Sequence, residues 1–297
     1  MEQRVRPQKL RVIDVHTHFP IENTMGGPPP GPRHPLLEAY ARERGERMRA
    51  EWGTAPAEPL ARTDQEVDAA LERWVGEVER YDLDKVVFVS GGGNDRLAGL
   101  VAKHPDRFVG LAHHRLEPGA GAELRRAVDE LGLRGYKLLG PTTDYPFEAP
   151  ELRDVWEFLA ERQLPALIHF GFLGRGGGVV QHPRMSPLSL FEVARDFPEV
   201  PFIVPHFGAG YFQDLLALCW SLPNVYIDTS AYTPARYPSA LIEFMKSKSG
   251  RKRVLWGSNY PMIGPAAALE GVDSLGLDEQ ARGLFLGGNA RRIFSLE

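Results

Sequence analysis

Cysteine is nearly absent: Cys219 is the single one in 297 residues. No intrachain disulfide can form, and a reducing compartment such as the cytoplasm is the natural setting. The run LLALCW puts Cys219 on an apolar helix, where a buried structural thiol is expected rather than a nucleophile. Long hydrophobic runs are also missing, so no bilayer span is expected. The first twelve residues carry charge but no apolar core of the kind a secretory signal needs. Basic residues are not in excess: 35 Lys and Arg stand against 39 Asp and Glu, a formal net charge of -4. That balance argues against nucleic acid or an anionic membrane as the main partner and leaves a small molecule. No G-x-G-x-x-G follows an apolar stretch, and the glycine-rich GGGND and GRGGG lack the Lys-Ser/Thr of a phosphate loop.

What is present is ordinary for a globular chain, with 43% apolar and 25% charged residues. The length admits one barrel of about 250 residues with insertions, or two smaller domains. Short apolar runs alternate with segments of helical period from residue 64 onward. VVFVS, FVGLAHH, GYKLLG, PALIHFG, PFIVPHFG, VYIDTS and RVLWGSNYP read as strands, each followed by a helical stretch. With VIDVHTHFP at residues 12–20 as the first strand, there are eight strand–helix units. Continuous apolar strands are what a parallel sheet covered on both faces requires. Eight units predict an α/β fold of the (β/α)8 TIM-barrel type, a single domain over residues 1–297, with an open doubly wound sheet as the alternative.

One region stands outside that repeat. Residues 19–63, rich in Pro, Gly and Arg, form a lid-like insertion after the first strand, with a helix expected over 36–52. Its arginines 42, 44, 47 and 49 read first as a solvated face and second as an anion-binding group. Helix 64–81 shows apolar positions at Val67, Ala70, Leu71, Trp74, Val75, Val78 and Tyr81, with Asp64 as its expected N-cap.

In such a barrel the carboxyl ends of the strands converge on one site. His16 and His18, two apart, share one face of the first strand. Alone, such a pair reads as ordinary strand-end polarity. Later strand ends add His113 or His114, Lys137, His169, His206, Asp228 and Asn259. His113 and His114 are adjacent, so one at most faces the site. Four of the nine histidines, His16, His18, His169 and His206, stand where a strand runs out. Tyr232 and Arg236, with Tyr237, could line a pocket or simply build a loop. His34, His104 and His182 read as surface.

These stretches, with GGNARRIF at the end, resemble the amidohydrolase-related family of metal-dependent barrels, which includes aminocarboxymuconate semialdehyde decarboxylase, other nonoxidative decarboxylases, hydratases and C–C bond hydrolases. The resemblance runs over residues 12–294. It implies one divalent metal ion, zinc first and manganese second, held by His16, His18 and His169. It also implies that His206 positions or activates water, and that an Asp on the eighth strand completes the site. Here that position is Asn259. A carboxamide is neutral, a weaker ligand through its carbonyl oxygen, and no base. Three neutral imidazoles can still hold zinc. The proton acceptor then falls to His206 or, second, Asp228, and Asn259 becomes free to bond substrate. Lys137 reads as a substrate-binding cation or an ion-pair partner ahead of a carbamylated ligand. Asp228 reads equally as a group orienting a ligand histidine.

The expected activity is a metal-dependent hydrolase, in which metal-activated water attacks the carbonyl carbon of an amide, an ester or lactone, or a β-dicarbonyl whose C–C bond then breaks. The alternatives are a nonoxidative decarboxylase of a small aromatic or unsaturated acid, against which Asn259 counts, and a barrel that kept ligand binding without catalysis. A homodimer is compatible with all three.

Overall fold

The computed structural model describes residues 11–21, 34–52, 60–171 and 185–296. Among the described residues there are nine strands: β1 (Val12–His18), β2 (Leu83–Ser90), β3 (Phe108–Gly110), β4 (Ala112–His113), β5 (Tyr136–Leu139), β6 (Ala166–His169), β7 (Phe202–Val204), β8 (Val225–Asp228) and β9 (Val254–Leu255). All pair in parallel, in the orders β1-β2-β3 and β4-β5-β6-β7-β8-β9.

The expected strand over 108–114 is thus two strands that share one barrel position. Leu111 N–H still donates to Phe88 O on the β2 side (3.0 Å), while Ala112 N–H already donates to Gly135 O on the β5 side (2.9 Å). The last strand is shorter than its sequence suggests, because beyond Leu255 the chain leaves regular pairing. It nevertheless runs beside β1: Val15 N–H donates to Trp256 O (3.2 Å), Asn259 N–H to His16 O (2.8 Å) and His18 N–H to Tyr260 O (2.9 Å). These bonds join the last strand position to the first, and eight positions close into a parallel barrel.

Helices cover the outside. They are α1 (Pro35–Trp52), α2 (Asp64–Arg80), α3 (Asn94–Val101), α4 (Ala120–Asp129), α5 (Arg153–Arg162), α6 (Phe191–Asp196), α7 (Phe212–Ser221), α8 (Ser239–Lys246), α9 (Pro265–Leu269), α10 (Glu279–Gly283) and α11 (Asn289–Ile293). The N-cap of α2 is Thr63, not Asp64. Thr63 Oγ1 accepts the Glu66 N–H (3.2 Å), and the Glu66 carboxylate accepts the Thr63 N–H (3.0 Å) and Arg62 N–H (2.7 Å). This capping box satisfies the first free amides of the helix, and Asp64 becomes a first-turn acid favoured by the helix dipole. Cys219 is buried on α7 as expected, its S–H directed at Val225 O and its thiol pushed up to about 12 by burial. No helix among the described residues is long and apolar enough to cross a membrane. Of the expected insertion, α1 is described, with Arg42 and Arg47 exposed; residues 22–33 and 53–59 and the side chains of Arg44 and Arg49 lie outside the described residues.

Two apolar layers follow from strand alternation. Val86, Phe88, Tyr136, Ile168, Phe202 and Val204 pack outward against the helices. Ile13, Val15, Val87, Leu111, Leu167, Ile203 and Leu255 fill the barrel interior and meet Ala290, Ile293 and Phe294 of the carboxyl-terminal helix region. Close approach there depends on Gly287: a Cβ added to it would lie 2.0 Å from Arg11 O.

Candidate active site

The inward positions change character two residues further along each strand. Leu111 is followed by His113, Leu167 by His169, and Tyr226 by Asp228, while Lys137 points in between outward-facing Tyr136 and Leu138. The apolar plug thus ends in a polar layer at the carboxyl ends of the strands. His16, His113, Lys137, His169, His206, Asp228 and Asn259 are all less than 9% exposed.

The first strand needs a device to join this layer. Strict alternation from inward Ile13 and Val15 would turn His16 and His18 outward. The β1–β2 register shifts between Asp14 and Thr17 and again between Thr17 and His18. Such an irregularity re-aims side chains, and both imidazoles reach the interior. The His16 ring lies 5.3 Å from that of His18 and 4.9 Å from that of His206, which is 5.0 Å from His169.

Three of the imidazoles are held by hydrogen bonds. His16 Nδ1–H donates to Asp228 Oδ2 at 2.7 Å, which leaves Nε2 as a bare lone pair, buried and without a hydrogen-bond partner. Asp228 also accepts from Ser230 N–H and Ser230 Oγ–H, both at 2.8 Å. His206 Nδ1–H donates to Ser230 O (3.0 Å), so its Nε2 likewise carries the lone pair. His18 Nδ1 meets Ser90 Oγ at 2.7 Å, and its Nε2 meets Asn259 Oδ1 at 3.1 Å. Asn259 Nδ2–H points at Met262 Sδ, 3.4 Å away. Since an amide oxygen accepts, this arrangement puts the His18 proton on Nε2.

The backbone is strained around these groups. Five non-glycine residues with positive φ sit there: His206 (58°), Phe207 (50°), Ala209 (42°), Ala231 (68°) and Asn259 (64°). Conformations of this kind persist where surrounding structure over-determines them, and they cluster at functional sites. Gly257 answers a different need. Its position leaves a Cβ 3.0 Å from Asp228 Oδ1 and 3.1 Å from His16 Cβ, so a side chain would crowd the pair.

Burial sets the protonation states. It holds His16 and His206 well below the ordinary imidazole value, helped by neighbouring cationic groups. It pulls His113 down to about 3, with Lys137 and His18 acting in the same sense. Lys137 is pulled down to about 7 by burial, against the attraction of Asp228. Asp228 is pushed up to about 7 by burial, opposed by its bonds from Ser230. The imidazoles of His16, His113 and His206 are therefore neutral near pH 7, the form in which lone pairs can bind a cation.

Imidazoles sharing one tetrahedral ion at about 2.0 Å per nitrogen have ring centroids about 5 Å apart, close to the 5.3 Å between His16 and His18. The buried, unpartnered Nε2 of His16 is a ready donor, and Asp228 fixes its tautomer as a metal-ligating histidine requires. Against this, no three His, Cys, Asp or Glu side chains among the described residues are already gathered around one point tightly enough to hold a metal. The His16–His18 spacing suits a shared ion, but the His18 donor is turned to Asn259. By donor chemistry alone, His16, His18, His169 and the Asn259 carbonyl suit a divalent cation once His18 moves its proton to Nδ1, where Ser90 Oγ can accept it.

The remaining sequence candidates divide. His113 faces inward and His114 outward, where it bonds Ala120 O (3.1 Å) and stacks on Tyr136. Tyr232 is half-buried against Phe207 (4.5 Å), the neighbour of His206, whereas Arg236 is exposed on a turn. Tyr237 is buried, and its hydroxyl donates to Thr229 Oγ1 (2.9 Å), a loop-building bond. His34 is exposed, His104 is half-buried against Phe108, and His182 lies outside the described residues. Sequence reasoning missed Ser90, Ser230 and Asp14. The two serines end their strand motifs as the histidines do. Asp14 interrupts an apolar strand; its Oδ1 accepts from His16 N–H (3.1 Å) and Ser258 N–H (2.9 Å) and ties β1 to the last strand.

A parallel barrel with a layer of imidazoles at its carboxyl rim defines a class of strand-end enzyme sites. Residues 13–296 match the amidohydrolase family, and the chain belongs to it. The chain is 26% identical over 244 residues to 2-keto-4-carboxy-3-hexenedioate hydratase of a Sphingobium strain, covering 68% of this chain and 70% of that one. It is 24% identical to γ-resorcylate decarboxylase of Rhodococcus jostii, covering 72% and 78%. Among solved structures, an uncharacterized TIM-barrel protein of Bordetella bronchiseptica superposes with TM-score 0.73 at 19% identity, covering 97% and 99%. The 5-carboxyvanillate decarboxylase of Sphingomonas paucimobilis superposes with TM-score 0.66 at 18% identity, covering 97% and 100%. The named relatives are enzymes, and decarboxylases and a hydratase are among them.

Proposed function

We propose that the chain is a metal-dependent hydrolase of small organic substrates, its cation held by His16, His18 and His169 with the Asn259 carbonyl as the weakest ligand. The observation that carries this reading is the His16 Nε2 lone pair, buried, unpartnered and clamped from behind by Asp228. A divalent ion bound there, zinc first and manganese second, supplies Lewis-acid activation of water and of a substrate carbonyl.

The chain's own residues do the rest. His206 takes the proton of the attacking water on Nε2, because its Nδ1–H is committed to Ser230. Burial keeps that ring neutral, so the Nε2 lone pair is free at neutral pH, although it is a weaker base than an ordinary imidazole. Asn259 cannot accept that proton; its Nδ2–H is available to a substrate oxygen. Asp228 holds His16 in one tautomer. The buried Cys219 thiol is consistent with a reducing, cytoplasmic setting.

Decarboxylation is the second reading, supported by the named activities of γ-resorcylate decarboxylase and of 2-amino-3-carboxymuconate-6-semialdehyde decarboxylase of Dictyostelium discoideum, 23% identical. A panel of lactones, esters and β-dicarbonyl acids turned over in H2(18)O separates the two. Hydrolysis puts the label into product and depends on a chelatable metal. Release of CO2 without label selects decarboxylation. No turnover of either kind, with or without added zinc or manganese, contradicts both.

A further inference from the structure

His113 and Lys137 have no assigned task in this chemistry, yet both are buried in the barrel interior. They are register partners on adjacent strands β4 and β5. His113 is 6% exposed, and neither ring nitrogen has a hydrogen-bond partner. Its main chain is pinned: His113 N–H donates to Asn94 Oδ1 at 2.8 Å, and Asn94 Nδ2–H donates to Glu123 (2.7 Å). Lys137 is 2% exposed, and its ammonium makes no hydrogen bond among the described residues. The carboxylate that acts on it is Asp228, whose hydrogen bonds are given to His16 and Ser230.

A buried ammonium without a hydrogen-bonded anion is costly, as is a buried imidazole N–H without an acceptor. Two such groups side by side, facing one interior, ask for a single ligand that is anionic and accepts two hydrogen bonds. We propose that Lys137 and His113 together bind the carboxylate of an acidic substrate, one oxygen on the ammonium and the other on the imidazole N–H. His113 also senses His18, so the pair lies beside the histidine cluster. A carboxylate held there presents the adjoining carbon skeleton to His16, His18 and His206. A neutral amide in the same place would leave the ammonium uncompensated. This inference rests on the histidine cluster being the active site.

Benzoate and benzamide, matched in shape and different in charge, are the probes, titrated calorimetrically into the full chain with and without zinc. The wild type is expected to bind benzoate about tenfold or more tighter than benzamide, the effect of a charged hydrogen bond. Lys137→Met is expected to abolish the preference and His113→Phe to reduce it. Circular dichroism confirms folding, and the two variants test the pair independently should one fail to fold. Unchanged zinc content in the variants keeps this result separate from the cation site. A preference that survives in both variants, or is absent in the wild type, overturns the inference. A preference lost on zinc removal but kept in Lys137→Met puts the carboxylate on the cation, which overturns the inference and leaves the metal reading standing. A preference that needs Lys137 but not zinc upholds the inference, and metal-free turnover would then count against the metal reading alone.

Discussion

Asp228 Oδ2 lies 2.7 Å from Nδ1 of His16, a residue 212 positions away in the chain. That bond fixes which nitrogen of His16 carries its proton and leaves the other bare inside the barrel. Replacing Asp228 by Ala frees the tautomer and the ring. Zinc affinity is then expected to fall about 10- to 100-fold, read by competition with a chromophoric chelator. Ser230→Ala, which leaves the His16 bond in place, is expected to do less.

Asn259 Oδ1 stands 3.1 Å from Nε2 of His18. A carboxylate there would repel no lone pair once a cation is bound and would add a full charge to a site of neutral donors. Asn259→Asp is therefore expected to tighten zinc binding about tenfold or more in the same titration. An unchanged affinity would mean that residue 259 is no ligand.

Gly257 has no left-handed φ to explain it; space does. A Cβ would sit 3.0 Å from Asp228 Oδ1 and 3.1 Å from His16 Cβ. Gly257→Ala is expected to cost about 1–3 kcal/mol by overpacking, measured by urea denaturation, and to loosen the His16–Asp228 pair with it.

Acid stability should report on the cap of α2. The hydrogen bonds from Arg62 and Thr63 hold the Glu66 carboxyl below its ordinary value of 4.5. Its folded pKa being the lower, its contribution is fully present above about 4.5 and is lost as pH falls through the folded value. Thr63→Ala is expected to cost about 1 kcal/mol at pH 7. Glu66→Gln should flatten the acid side of the stability profile. Denaturation midpoints between pH 7 and pH 3 check both.

Much of this was legible beforehand for a physical reason. Strands buried on both faces read as apolar runs, and period-2 alternation carries each inward row from Leu167 to His169 or from Tyr226 to Asp228. The irregularity that turns His16 and His18 inward was not legible, because it lies in the register between β1 and β2 rather than in either strand. Nor was the split at Leu111, where one strand changes hydrogen-bonding partner. The Asp228–Ser230 bonds depend on a local turn completed by the positive φ of Ala231, which no periodicity announces. The cap of α2 is readable one residue before Asp64: T-D-Q-E from Thr63 to Glu66 has the capping-box spacing. The separation of His18 from Asn259 is tertiary, and the sequence shows that position only as an amide standing where the resemblance implies an acid.

The central claim, that the histidine cluster is a cation site, meets its most direct test in metal analysis of the purified chain beside His16→Ala. Inductively coupled plasma mass spectrometry, after dialysis against a limited excess of zinc, should find one equivalent of divalent metal per wild-type chain, removable by chelator, and a loss of most of it in the folded variant. A wild type that holds no stoichiometric metal, or a His16→Ala variant that holds as much as the wild type, would contradict it.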